Sequence, residues 1–183
     1  MNTERLPGIR PRQSLWRRLD MAARRCFPAS TTALLLLMTA APLGLPGQAE
    51  LQGAAALACV FFWSLFRPAS MPPAVVFAVG LLTDLLGYAP PGVAVLTLLL
   101  VHGVALHWRR VLVPLGFLLV WLSFLAVACG AAALEWALTS LLTFRLLPPG
   151  AAFFQAALGA GLYPLLAVVF TRAHQTLAEP EHA

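Results

Sequence analysis

Apolar residues fall along this chain in long blocks, separated by short stretches where proline, glycine and arginine gather. A helix needs about 20 apolar residues to cross the hydrocarbon of a bilayer. On that measure the blocks predict six membrane helices, at about 27–45, 51–66, 73–88, 93–108, 111–142 and 151–171. The second block is short, so Ala49 and Glu50 would extend it at one end while Arg67 snorkels at the other. Pro46-Gly47, Pro68 with Pro72-Pro73, Pro90-Pro91-Gly92 and Pro148-Pro149-Gly150 supply four of the turns, because proline and glycine interrupt helices. Arg109-Arg110 marks the remaining break, and the long fifth block is expected to tilt or to project beyond the bilayer.

Composition turns this pattern into a class. Of 183 residues, 60% are hydrophobic and 10% are charged, against roughly 25% charged in an ordinary soluble domain. That is too little charge to cover a globular surface, and too much apolar content for a disordered chain. The expectation is an all-α integral membrane protein, a six-transmembrane-helix bundle over 27–172. An arginine-rich cytoplasmic segment, 1–26, precedes it and a short cytoplasmic tail, 173–183, follows.

The charge also sets an orientation. Every basic residue is arginine, and seven lie before residue 26: Arg5, Arg10, Arg12, Arg17, Arg18, Arg24 and Arg25. Such a block could bind nucleic acid. Directly before an apolar span it reads better as a juxtamembrane segment facing anionic lipid, and no nucleic-acid partner is expected. The arginine-rich stretch of about 25 residues exceeds a usual signal-peptide n-region, so the first helix is expected to be retained. With six spans, Arg67, Arg109, Arg110 and Arg172 fall on the same side as the N-terminal seven, leaving Arg145 alone opposite. Lysine and arginine collect on the cytoplasmic side, so both termini are expected there.

Ionisable groups inside apolar spans are costly and each needs a reason. Asp84 lies in Gly80-Leu81-Leu82-Thr83-Asp84-Leu85-Leu86-Gly87, in the outer half of its span. Gly80, Asp84 and Gly87 share a helix face by their spacing. Small residues beside a carboxylate let another helix approach and donate hydrogen bonds to it. Asp84 is therefore expected to fix the fold or a partner, or to be satisfied by water or backbone near the Gly87 turn. A proton relay fits less well, since no second carboxylate shares its depth. His102, mid-helix, is expected to bond a neighbouring helix; His107 and Trp108 read as an interface anchor. Glu135 should sit at the outer interface, paired with Arg145 or separately solvated. Cys26, Cys59 and Cys129 show neither metal spacing nor a disulfide framework. Alanine and glycine at four-residue spacing, such as Ala29 with Ala33 and Ala152 with Ala156 and Ala160, suit close helix packing. No catalytic motif is present, which points away from an enzyme, and no cofactor or metal is expected.

Phe62-Trp63-Ser64-Leu65-Phe66-Arg67-Pro68 and Phe77-Ala78-Val79-Gly80-Leu81-Leu82-Thr83-Asp84-Leu85-Leu86-Gly87, followed by Pro91-Gly92 and another apolar helix, resemble the rod shape-determining MreD family. The resemblance covers most of the chain in organisation and about residues 62–110 in motif. The arginine-rich N-terminal segment is longer than the family pattern. The resemblance implies a non-enzymatic scaffold in the bacterial inner membrane, within the elongation machinery for peptidoglycan. Its partners would be the bitopic MreC and, through it, the actin-like MreB, the polymerase RodA and a penicillin-binding transpeptidase. Gly80, Asp84, Gly87, Pro91, Gly92 and His102 would be the structural or partner-contact residues. The family is similar in fold to the substrate-binding subunits of energy-coupling-factor vitamin transporters, which supplies the alternative of a small-molecule uptake subunit. Ala29 and Ala33 would there pack on a coupling subunit. A sparse supply of polar side chains in the outer loops, chiefly Gln48, Glu50, Tyr88 and Arg145, favours the scaffold.

Overall fold

A computed structural model describes residues 15–41, 44, 46–87 and 89–178, with side chains from Arg25 to Arg172. The arginines of 1–14, Tyr88 and the last five residues of the expected tail lie outside the described residues. Six α-helices follow one another: α1 (Leu15–Ala40), α2 (Gln48–Phe66), α3 (Pro73–Leu86), α4 (Val93–Leu112), α5 (Phe117–Thr143) and α6 (Gly150–Ala178). A 3₁₀ turn, Pro68–Ser70, sits between α2 and α3. No strand occurs among the described residues.

Four helices, α2, α4, α5 and α6, are long and apolar enough to cross a membrane. The other two fall short of that measure for different reasons. α3 has 14 residues, about 21 Å at the helical rise. α1 has 26 residues, but its first half carries arginines and Asp20. Its helix begins at Leu15 rather than near Phe27, because Leu, Arg, Met and Ala all favour helix whatever their polarity.

The α4–α5 boundary also differs from the pattern. α4 runs through Arg109-Arg110 to Leu112, and α5 begins at Phe117 instead of Val111. Arginine does not break a helix and is favoured in a last turn by the helix dipole. The break falls at Pro114-Leu115-Gly116, where proline offers no amide to continue the ladder. Arg109 then reaches sideways, its Nε donating to the Leu65 carbonyl 2.8 Å away at the end of α2. Such carbonyls at a helix C-terminus lack partners within their own helix.

α2 is the centre of the bundle and touches all five other helices. Every residue from Ala54 to Leu65 is buried, the state expected of a helix that is apolar all round. Its Ala54-Ala55-Ala56 run admits neighbouring backbones closely. Towards the other end, aromatic rings fill the core. Phe124 of α5 stacks on Tyr163 of α6 with centroids 4.3 Å apart, and Phe61 of α2 meets both edge-on or tilted. Trp63 lies between Phe27 of α1 and Phe170 of α6. Offset and edge-on geometries are the ones the ring quadrupoles prefer.

Candidate functional site

The α1–α2, α3–α4 and α5–α6 turns lie at one end of the bundle, called here the turn end. Gln48 illustrates how that end is closed. Its side-chain amide donates to the carbonyls of Thr39, at 2.8 Å, and of Ala41. It thereby caps the last turn of α1 with a residue that opens α2.

The α3–α4 hairpin gathers the residues singled out by the motif. Gly92 is the N-cap of α4, with φ 98°, a conformation that L side chains rarely adopt and glycine adopts freely. A glycine cap brings no side-chain acceptor for the free amides of the first turn. Asp84, one helix back, supplies it. Its Oδ2 accepts from Gly92 N at 2.7 Å and Val95 N at 3.4 Å, and its Oδ1 accepts from Ala94 N at 2.9 Å. Both carboxylate oxygens are engaged, and the anion sits on the positive end of the α4 dipole. Gly80 makes this approach possible. A Cβ there would lie 2.6 Å from the Val95 Cα, so the two backbones touch. Gly87 ends α3, its amide donating to the Thr83 carbonyl at 2.9 Å. Pro91 is exposed in the turn itself.

His102 stands apart from this group. It is 3% exposed, deep in α4, with Nδ1 2.7 Å from the Ser64 hydroxyl of α2. Its Nε2 and the indole N–H of Trp63 are buried without a hydrogen-bond partner. The motif residues thus form one hairpin contact, and His102 a separate α2–α4 contact.

Behind the Asp84 cap lies a cavity of about 290 Å³, near the lower edge of the range of ligand pockets. Helices α2 to α6 all contribute to its wall. Its polar groups include Glu50, Gln52, Asp84, Glu135 and Gln155, while alanines, Val93 and Trp136 make much of the rest. Glu135 of α5 accepts from Gln155 Nε2 of α6 at 2.6 Å; its partner is this amide rather than Arg145. Trp136 donates through Nε1 to the Leu147 carbonyl at 2.9 Å, holding the α5–α6 turn against the wall. Gln52 is 4% exposed, and its Nε2 has no partner.

Reasoning from loops missed this chamber. The loops are indeed poor in polar side chains, but the polar groups come from the ends of helices instead. Gln52 and Gln155, amides set inside apolar blocks, are the signal that could have found it. Comparisons with family models, with curated proteins and with solved structures find no match to this chain.

Proposed function

We propose that this protein is a non-enzymatic scaffold of the bacterial cell elongation machinery, as its resemblance to the MreD family implies. It would be embedded in the inner membrane with six helices and both termini on the cytoplasmic side. The observation that carries this reading is the α3–α4 hairpin. The distinctive residues Gly80, Asp84 and Gly92 all serve to lock one helix to the next. A carboxylate whose two oxygens accept backbone amides is an architectural part, not a proton carrier. The locked pair presents a rigid apolar outer face, Phe77, Leu81 and Leu85 on α3 with Leu96 and Leu100 on α4. Such a face suits lipid or a bitopic helix such as that of MreC. Short α3 fits the six-span topology through mismatch, since a short helix can be accommodated by local thinning of the bilayer.

One observation favours the alternative of a small-molecule uptake subunit: the turn-end cavity with its buried, unpartnered Gln52 amide. Clean deletion in the native host separates the two readings. Loss of rod shape with intact nutrient requirements is the expected result. Normal rods with a new requirement for a supplied small molecule would overturn the scaffold and favour uptake. The topology is checked by reporter fusions: Gly92 and the C-terminus should report opposite sides, and a periplasmic C-terminus would overturn the six-span arrangement.

A further inference from the structure

The α5–α6 hairpin stands taller than its neighbours at the turn end. From Arg110 back to its N-cap Gly92, α4 rises about 27 Å, close to the thickness of a hydrocarbon core. α5 rises by the same amount between Phe117 and Glu135, and Glu135 borders the cavity that Asp84 also borders. α5 then continues to Thr143, about 12 Å further, whereas α3 stops at Leu86, just past Asp84. A headgroup layer is roughly 5–8 Å deep, so in the six-span arrangement the hairpin tip reaches its outer face. What the tip carries there is apolar. Residues 141–151 are exposed without a break; Leu141 and Leu142 are more than half exposed, Phe144 and Leu146 about nine-tenths. Hydrocarbon does not reach that height, and headgroups give such side chains no apolar cover. The tip is also held in shape. Trp136 Nε1 donates to the Leu147 carbonyl at 2.9 Å, and Arg145 N to the Ser140 carbonyl at 3.2 Å. Phe144 keeps a left-handed backbone, φ 52°, with its ring packed on nothing in the chain. Strain of this kind collects at functional positions. Arg145 beside it is exposed and forms no ion pair among the described residues.

We propose that this tip is a docking knob for the extracytoplasmic part of a membrane-anchored protein, seated in an apolar groove that carries a carboxylate for Arg145. Aromatic residues and arginine are the usual anchors of protein interfaces, and a knob already held in shape loses little freedom on binding. A second copy of this chain is the poorer occupant. Two tips meeting would set Arg145 against Arg145, and 141–151 contains no acidic residue to relieve them. The run is well short of the roughly 20–30 residues that a freestanding interface takes from each side. A partner held in the same membrane needs less, because its second contact forms at high effective concentration. The proposal rests on the six-span orientation of the scaffold reading, and it gives the bitopic partner of that reading a point of contact outside the bilayer.

The test places the photo-cross-linking residue p-benzoylphenylalanine at Leu146 of the full chain in its native host. Irradiation is expected to give an adduct with one membrane-anchored protein. Mass spectrometry of the joined peptide should place the contact outside that protein's span, in an apolar stretch with an aspartate or glutamate. The same residue at Leu118, near the opposite end of α5, should not give this adduct. Arg145→Glu should reduce the adduct roughly tenfold, through a like-charge contact at the interface, while Arg145→Lys keeps most of it. Replacing the identified carboxylate with arginine should restore the adduct of Arg145→Glu. Both Arg145 variants should keep the native melting midpoint in detergent, which separates a lost contact from a misfolded chain. The place of the adduct is read without either variant. Adducts with lipid alone or with a second copy of this chain overturn the proposal. So does a joined peptide within the membrane or on the cytoplasmic side, or an adduct that Arg145→Glu leaves unchanged. Docking and scaffold fail separately. An adduct with a protein that has no part in cell shape upholds the knob and counts against the scaffold. No adduct at Leu146 overturns the knob and leaves the deletion phenotype to decide the scaffold.

Discussion

Two hairpins stand side by side at the turn end, and each joins its helices through a carboxylate. In α3–α4, Asp84 accepts from the backbone amides of Gly92, Ala94 and Val95. In α5–α6, Glu135 accepts from the side chain of Gln155. The backbone donors cannot leave without unwinding the first turn of α4. The Gln155 amide can leave by rotating about its own side-chain bonds. The first carboxylate is therefore part of the frame, while the second is held only by a side chain that can turn away. An acidic residue in a membrane span is commonly taken as a functional mark; here the donor, not the acid, decides which kind of mark it is.

The largest effect should follow from removing the framing carboxylate. Asp84→Leu leaves amides of the α4 first turn without an acceptor, in a half-buried place. The cost is roughly 2–4 kcal/mol, combining a lost cap with unsatisfied donors. It should appear as a marked fall in protein level and in the melting midpoint in detergent. With both oxygens engaged, Asp84→Asn keeps one acceptor and turns an NH₂ towards an amide donor. An intermediate loss, about half that of Leu, is expected. A midpoint for Asp84→Leu equal to the native value would end the distinction between the two hairpins.

Gly80 is the next test. Gly80→Ala places a methyl 2.6 Å from the Val95 Cα, and backbone cannot yield as a side-chain tip can. Overpacking of this kind costs roughly 1–3 kcal/mol. Gly103 in α4 is the control, since a Cβ there meets nothing within 4 Å. Gly103→Ala should be neutral or slightly stabilising, because alanine is the better helix former. Equal effects at the two positions would mean that α3 and α4 do not touch at Gly80.

Much of this frame was legible in the sequence. The order of helices and the proline-glycine turns follow from composition, and the shared face of Gly80, Asp84 and Gly87 follows from spacing. Spacing names a face but not what meets it. That the donors to Asp84 would be amides of the next helix, only 8 to 11 residues on, depends on Gly92 adopting a left-handed conformation. The end of α4 was misplaced because paired arginines look like a boundary, whereas Pro114 is the residue that lacks an amide. The central place of α2 was visible in principle, since it is apolar on every side. The cavity was not, because Gln52, Glu135 and Gln155 stand far apart in the chain and only the bundle brings them together.

The carboxylate bonded to a side chain should tolerate what the framing one does not. Glu135→Gln can still bond Gln155 through its carbonyl oxygen, with the charge removed. A change in melting midpoint worth under about 1 kcal/mol is expected, as for a neutral hydrogen bond replacing a charged one. A loss of stability comparable to that of Asp84→Leu would place Glu135 in the frame as well and erase the contrast between the hairpins.

The smallest effect is expected where the two hairpins differ in their turns. α3–α4 meets its left-handed position with Gly92, but α5 ends on Phe144, with φ 52° and ψ 32°. A helix commonly closes on a left-handed residue, and glycine is the usual one. A side chain there costs roughly 1–2 kcal/mol. Phe144 is 92% exposed, so its ring recovers none of that cost by packing within the protein. Phe144→Gly removes the strain, but glycine also loses more backbone freedom on folding, by roughly 0.5–1 kcal/mol. The balance is a gain of about 0.5 kcal/mol in detergent, read as a small rise in melting midpoint, with Phe144→Asn between the two. In nanodiscs the gain should shrink, because an aromatic ring at the turn end can anchor at the membrane interface. A clear fall in detergent would show that the ring holds the α5–α6 turn in place, and that this hairpin too is fastened by its turn.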